Sequence, residues 1–151
     1  MITVRKRLRS YQFVDPELIK EKVEKMIAAI GYADFDVFIW LTNNPGIKKY
    51  NATFRKKNSA TDILSFPHHP HLVPGERIAV QESDDKNLGD ILISLEYVAH
   101  VCRRHDMDFL ERIDVLLAHG IAHLLNYDHQ TDDEFAQMQV VEKKLLRSLA
   151  A

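Results

Sequence analysis

Apolar residues recur along this chain at two periods, and the switches between them outline most of a fold. From Asp15 the spacing is helical: Asp15 can cap, Pro16 suits the first helical position, and Ile19, Val23, Met26 and Ile30 follow on one face. Gly31 tolerates the backbone conformation that ends a helix. Phe35 to Leu41 is rich in Val, Ile, Phe and Trp and alternates imperfectly, so it reads as a buried strand. Asn44 then caps and Pro45 starts a second helix, with Ile47, Tyr50 and Phe54 predicted inward. Thr61 to Phe66 reads as a short strand closed by Pro67. Pro67 to Asn87 mixes Pro, Gly and charge, which predicts a flexible loop with at most a short strand at Ile78 to Val80.

Leu88 to Ser94 is another strand, leading into a helix from Leu95 to His105. Asp108 and Glu111 form a capping-box pattern that opens a helix with Leu110, Ile113, Leu117, Ile121 and Leu124 on its apolar face. Thr131 and Glu134 repeat the pattern before a C-terminal helix carrying Phe135, Met138, Leu145 and Leu149. The sum is an α+β single domain over residues 1–151, about four strands in a mixed sheet packed with about five helices.

Size and charge refine this picture. A chain of 151 residues can bury roughly 70% of its unfolded surface. No apolar run approaches the ~20 residues of a membrane span. The N-terminus is basic (Arg5, Lys6, Arg7, Arg9) but lacks the apolar region of a signal peptide, which predicts a soluble, cytoplasmic protein with no membrane partner. The single cysteine, Cys102, lies among Val98, Val101 and His105 and is expected to be a packed thiol in a reducing compartment. The net charge of −2 argues mildly against a nucleic-acid partner. Its distribution matters more. Lys48, Lys49, Arg55, Lys56 and Lys57 fall within ten residues that contain no acid. On charge alone this is a solvated helix face.

Chemistry concentrates in His119-Gly120-Ile121-Ala122-His123-Leu124-Leu125-Asn126-Tyr127-Asp128-His129. His119 and His123 are four residues apart, so a helix stacks them on nearly one face, at the end of a helix buried on its apolar side. Such pairs are common, and ordinary histidines near a helix end remain the plain alternative. His129 can join them only if the chain leaves the helix and turns back. Asn126 permits that turn, because Asn ranks next to Gly in tolerating the left-handed conformation. Three imidazoles with one open position is the pattern of a catalytic zinc site, one Zn2+ per chain. Asp128 suits either a hydrogen bond to a liganding histidine or a turn. The position after the first histidine, where a His-Glu-x-x-His protease carries its general base, is Gly120.

Four stretches occur in an informative order: Asn51-Ala52-Thr53-Phe54-Arg55-Lys56-Lys57, Thr61-Asp62-Ile63-Leu64-Ser65-Phe66-Pro67, Leu88-Gly89-Asp90-Ile91, and the histidine stretch. Over most of its length the chain resembles the YbeY endoribonucleases, the rRNA maturation factor family. The resemblance implies a hydrolase that prefers single-stranded RNA, with zinc on His119, His123 and His129, acting in ribosomal RNA processing and ribosome quality control. Ribosomal RNA, ribosomal proteins and ribosome-associated factors are the implied partners. It also implies a substrate role for Arg55, whose planar, permanently charged fork suits a scissile phosphate. Lys57 is a candidate for a neighbouring phosphate and Thr53 for a weaker polar contact. His119 is a candidate for proton transfer besides metal binding, although a zinc-bound histidine is a poor general base. The family usually has Gly where this chain has Asn126.

Asp90 reads equally as a support for the site or a structural cap. His68, His69 and His71 read as a solvated loop, and His100 and His105 as surface residues. Two rivals are a metalloprotease-like peptidase, which Gly120 disfavours, and a non-enzymatic ribosome-associated factor with structural zinc.

Overall fold

The computed structural model describes residues 1–150. In chain order the elements are β1 (Ile2–Lys6), α1 (Pro16–Ala29), β2 (Asp36–Thr42), α2 (Asn44–Arg55), β3 (Ile63–Pro67), β4 (Asn87–Ser94), α3 (Leu95–His105), α4 (Phe109–Leu124) and α5 (Asp132–Ser148), with a short 3-10 turn at Ser83–Asp85 before β4. The strands form one mixed sheet in the order β1-β2-β4-β3. β1 and β4 both run parallel to β2, and β3 is antiparallel to β4 at the edge. The α+β expectation holds.

Alternation along β2 divides the sheet into two unequal faces. Val37, Ile39 and Leu41 are buried, whereas Phe38, Trp40 and Thr42 point the other way and stay partly exposed. The first face meets α1 and α4, and α5 packs outside against both. Its core joins Val23 and Met26 of α1, Ile91 and Ile93 of β4, and Ile113, Leu117, Ile121 and Leu124 of α4. Each such side chain contributes about 1.5–3 kcal/mol on full burial, so α4 is firmly seated. Cys102 is buried in the same core. The second face is thinner. There α2 packs on β3 and β4 through a small cluster of Ile47, Leu64 and Leu92, with Trp40 and Phe66 at its border.

Several sequence expectations need correction. β1 was not predicted: it is an edge strand with only one fully buried residue, Ile2, and basic side chains beyond it. Ile78 to Val80 forms no strand. Instead the N–H of Ile78 donates to the Tyr32 hydroxyl at 3.1 Å. The second helix is capped by Asn43, whose Oδ1 accepts from the Gly46 N–H at 3.0 Å. Asn44 lies inside the helix, and its side chain accepts from the Ser94 hydroxyl at 2.8 Å. Tyr50 and Phe54 are not inward. They are 43% and 62% exposed, because the sheet-facing side of α2 is centred on Ile47 and Asn51. Leu110, in the first turn of α4, is likewise exposed. The long loop is fastened across its ends and at its middle: His69 Nε2 lies 2.7 Å from the Asp85 carbonyl, and Arg77 donates to the Gly31 carbonyl at 2.6 Å.

Candidate metal centre

Helix α4 carries the centre, and its start and floor are set locally. The Asp108 side chain accepts from the Glu111 N–H at 2.9 Å, fixing the first turn. Twelve residues beyond Asp108, Gly120 brings the helix close to the sheet. A Cβ there would lie 2.9 Å from Ile91 Cδ1 and 3.0 Å from Ile63 Cδ1. Position 120 therefore faces Ile63 of β3 and Ile91 of β4, and a side chain there would collide with the sheet.

Past Leu124 the turn forms as expected. Asn126 adopts φ +65°, and its N–H donates to His123 O at 2.9 Å. The Asn126 amide does more than permit the turn. Its Nδ2 donates to the carbonyls of His69 and Leu72, both at 2.9 Å, pinning the long loop beside the site. Glycine could supply the conformation but not these bonds. Asp128 Oδ1 accepts from the His129 N–H at 2.8 Å, so of its two readings the turn bond is the one it makes.

The reversal brings His129 back to the helix. Ligand-capable atoms of His119, His123 and His129 all lie within 4.8 Å of one another, so the three imidazoles could hold one metal ion. Nε2 of His119 and Nε2 of His123 face each other at 3.0 Å, a separation that needs a shared proton or a cation. On its far side, His119 Nδ1 lies 3.3 Å from the Glu142 carboxylate of α5. A carboxylate there favours the proton on Nδ1 and leaves Nε2 as the free donor atom. Burial, reinforced by His119, lowers the His123 pKa to about 4, against a smaller opposing pull from Asp128. His123 is thus neutral at pH 7, the form a metal ligand requires.

The histidines open into a cleft of about 570 Å3 whose walls include Arg55, Thr61, Ser65 and Asp128. Arg55 comes from the end of α2 and has no carboxylate partner among the described residues. The left-handed Lys56, φ +60°, ends that helix, and the buried Asn51 holds the following turn through a 2.9 Å bond to the Ser59 carbonyl. Thr53 and Lys57 lie outside the cleft wall. The Thr53 hydroxyl is already given to the Lys49 carbonyl at 2.9 Å. Asp90 belongs to the opposite sheet face, where it accepts from Trp40 Nε1 at 3.2 Å, so it neither supports the histidines nor caps a helix. His68, His71, His100 and His105 are exposed, as expected, whereas His69 is fixed by its bond to the Asp85 carbonyl. Glu142 was missed: twenty-three residues beyond His119 on an amphipathic helix, it carries no local signal.

Three imidazole nitrogens that could hold one metal ion and one unpaired guanidinium line an open cleft beside a mixed sheet, an arrangement suited to hydrolysis of an anionic ester. Comparison with known proteins specifies which. The chain matches the family described as Endoribonuclease YbeY over residues 6–150 and belongs to that family, which makes it a nuclease. It is 37% identical to a human protein named endoribonuclease YbeY over 131 residues, 87% of this chain and 78% of the relative. It is 33% identical to a protein of the same name from Alkaliphilus oremlandii over 142 residues, 92% of this chain and 90% of the relative. A solution structure from Thermotoga maritima shares the fold, with a TM-score of 0.60 at 23% identity, covering 99% of this chain and 92% of the other.

Proposed function

We propose that the chain is a zinc-dependent endoribonuclease preferring single-stranded RNA, acting in the cytoplasm on ribosomal RNA during its maturation and in ribosome quality control. Ribosomal proteins or ribosome-associated factors would be its protein partners. The observation that carries the reading is that Arg55 and the three histidines, more than sixty residues apart, line one cleft.

The donor set fits zinc: three imidazole nitrogens, one held by a carboxylate and one kept neutral by burial. Bound there, zinc would supply Lewis acidity toward water and toward a phosphate oxygen. The chain's own residues do the rest. His119, His123 and His129, which line the cleft together, would hold the ion. Arg55 takes the scissile phosphate in its fork and keeps its charge as the pentavalent transition state forms. Lys57, on the turn after α2 and outside the cleft wall, would serve a neighbouring phosphate. His119 faces Glu142 with Nδ1 and His123 with Nε2, so with a metal bound at Nε2 it would hold the ion rather than move a proton. Thr61 and Ser65 offer hydroxyls to the sugar or phosphate. The peptidase alternative loses ground, because position 120 faces the sheet.

The test pairs metal analysis with cleavage of single-stranded RNA. His123→Ala should lose both the ion and cleavage. Arg55→Ala should keep the ion and most RNA affinity but lose about 10²–10³ in turnover, the size expected for one transition-state charge donor. Cleavage persisting in a metal-free His123→Ala protein would sink the mechanism.

A further inference from the structure

The sheet's second face carries a cleft of about 540 Å3 that the cleavage chemistry does not use. Trp40 of β2, Phe66 of β3, and Tyr50 and Phe54 of α2 line it, with Arg7 and Lys49 at its rim. Tyr50 and Phe54 lie with ring planes 9° apart at 6.2 Å, and Phe66 meets Phe54 edge-on at 5.4 Å. The Arg7 guanidinium sits 4.7 Å over the Trp40 ring. Leaving Phe54 62% exposed beside Tyr50 at 43% is costly unless something covers them.

Position and charge indicate what covers them. Phe54 and Arg55 are chain neighbours, with Cα atoms about 3.8 Å apart, yet Phe54 lines this cleft and Arg55 the metal cleft. Along the edge strand β3 the same division recurs: Ser65 and Pro67 face the metal cleft and Phe66 faces the aromatic one. The two clefts therefore adjoin across the end of α2 and the edge of the sheet. From Asn44 to Thr61 the chain carries five basic residues and no acid. The acid inside the cleft, Asp90, is tied to the Trp40 indole. A second copy of this face would set Arg7 and Lys49 against themselves. A flexible polyanion with flat apolar bases matches both the rim and the rings.

We propose that this aromatic cleft is a single-stranded RNA subsite, on which bases flanking the scissile phosphate stack after the strand passes Arg55 and crosses the β3 edge. The proposal rests on the assignment of the metal cleft to RNA cleavage, but the two fail separately. Loss of cleavage is read at the histidines, and base stacking is read at Trp40, the only tryptophan of the chain.

The experiment titrates the zinc-loaded protein with a nuclease-resistant phosphorothioate 2′-O-methyl oligouridylate. Tryptophan emission and the anisotropy of an end label are followed together. Expected is a saturable change in Trp40 emission that tracks binding. Phe54→Ala should weaken affinity about tenfold or more, the size of one lost base–aromatic stack. Phe54→Leu, which keeps an apolar side chain without the ring, should not restore it. Lys49→Ala should reduce the salt slope of binding by about 0.7. Phe54 is solvent-exposed, so its variants should keep the parent's melting temperature and metal content, which are checked alongside. Binding with no change in Trp40 emission would overturn the proposal. So would wild-type affinity in Phe54→Ala, an equal Trp40 response to heparin, which has no bases, or a dimer in sedimentation that Phe54→Ala dissociates while RNA leaves Trp40 unmoved.

Discussion

At the residue scale, the centre depends on a neutral His123 and an oriented His119. The His123 pKa falls to about 4 in the folded chain from an ordinary 6.5. The unfolded chain therefore takes up a proton that the folded chain refuses. In the metal-free protein, the contribution from a neutral His123 is fully present above pH 6.5 and is lost as pH falls through about 4. Chemical denaturation of the chelator-treated protein across that window should show stability falling toward acid, and His123→Gln should flatten the slope. An unchanged slope in the variant would put the acid sensitivity elsewhere. Glu142 acts through His119 rather than on the metal. Glu142→Ala should weaken zinc binding about 10–100-fold by competition with a chromogenic chelator, with Glu142→Gln recovering part of the loss because an acceptor oxygen remains. An Ala variant with parental affinity would make the 3.3 Å contact incidental.

Among the elements, α4 shows why some of the site was legible and some was not. Its histidine spacing, its Asp108 cap and the Asn126 turn are local, and each was readable because its cause lies within a few residues. Partners supplied by other elements left no such trace: Glu142 from α5, or the loop carbonyls that hold the Asn126 amide. The faces of α2 were misread for a related reason. Ile47, Tyr50 and Phe54 share a helical spacing, but where that stripe stops being buried is decided by the width of the sheet beneath it. β1 escaped notice because an edge strand with basic side chains lacks a buried alternation. Gly120 offers an element-scale test. Gly120→Glu would recreate the protease-like His-Glu-x-x-His pattern in sequence while driving a carboxylate into Ile63 and Ile91. It should destabilise the fold by about 3 kcal/mol or more, as an unpaired buried charge does, and gain no peptidase activity. A stable variant that cleaves peptides would refute the placement of this residue against the sheet.

For the molecule as a whole, the three histidines come from two places: a helix seated in the core and the connection that follows it. α4 is anchored by core side chains on the sheet, and His119 and His123 ride on it. His129 belongs instead to the exposed connection into α5, held by the Asn126 turn and the Asp128 bond. A metal on all three would tie that connection, and hence α5, back to the sheet-bound helix. Binding only to the folded state stabilises by mass action, about 4.1 kcal/mol when free zinc is a thousandfold above its dissociation constant. For a chain of this size roughly 2–4 °C accompanies each kcal/mol, so saturating zinc should raise the melting temperature by about 10 °C over chelator-treated protein. His129→Ala should lose most of that increment while the metal-free melting temperature changes little, since His129 is exposed and buries no core. Hydrogen exchange locates the effect: zinc should slow the amides from Asn126 to Phe135, which open locally in the metal-free protein, in addition to the slowing of the β2 and β4 core amides that its global stabilisation brings. Zinc that left the His129 segment unprotected would show that the ion does not bridge this junction.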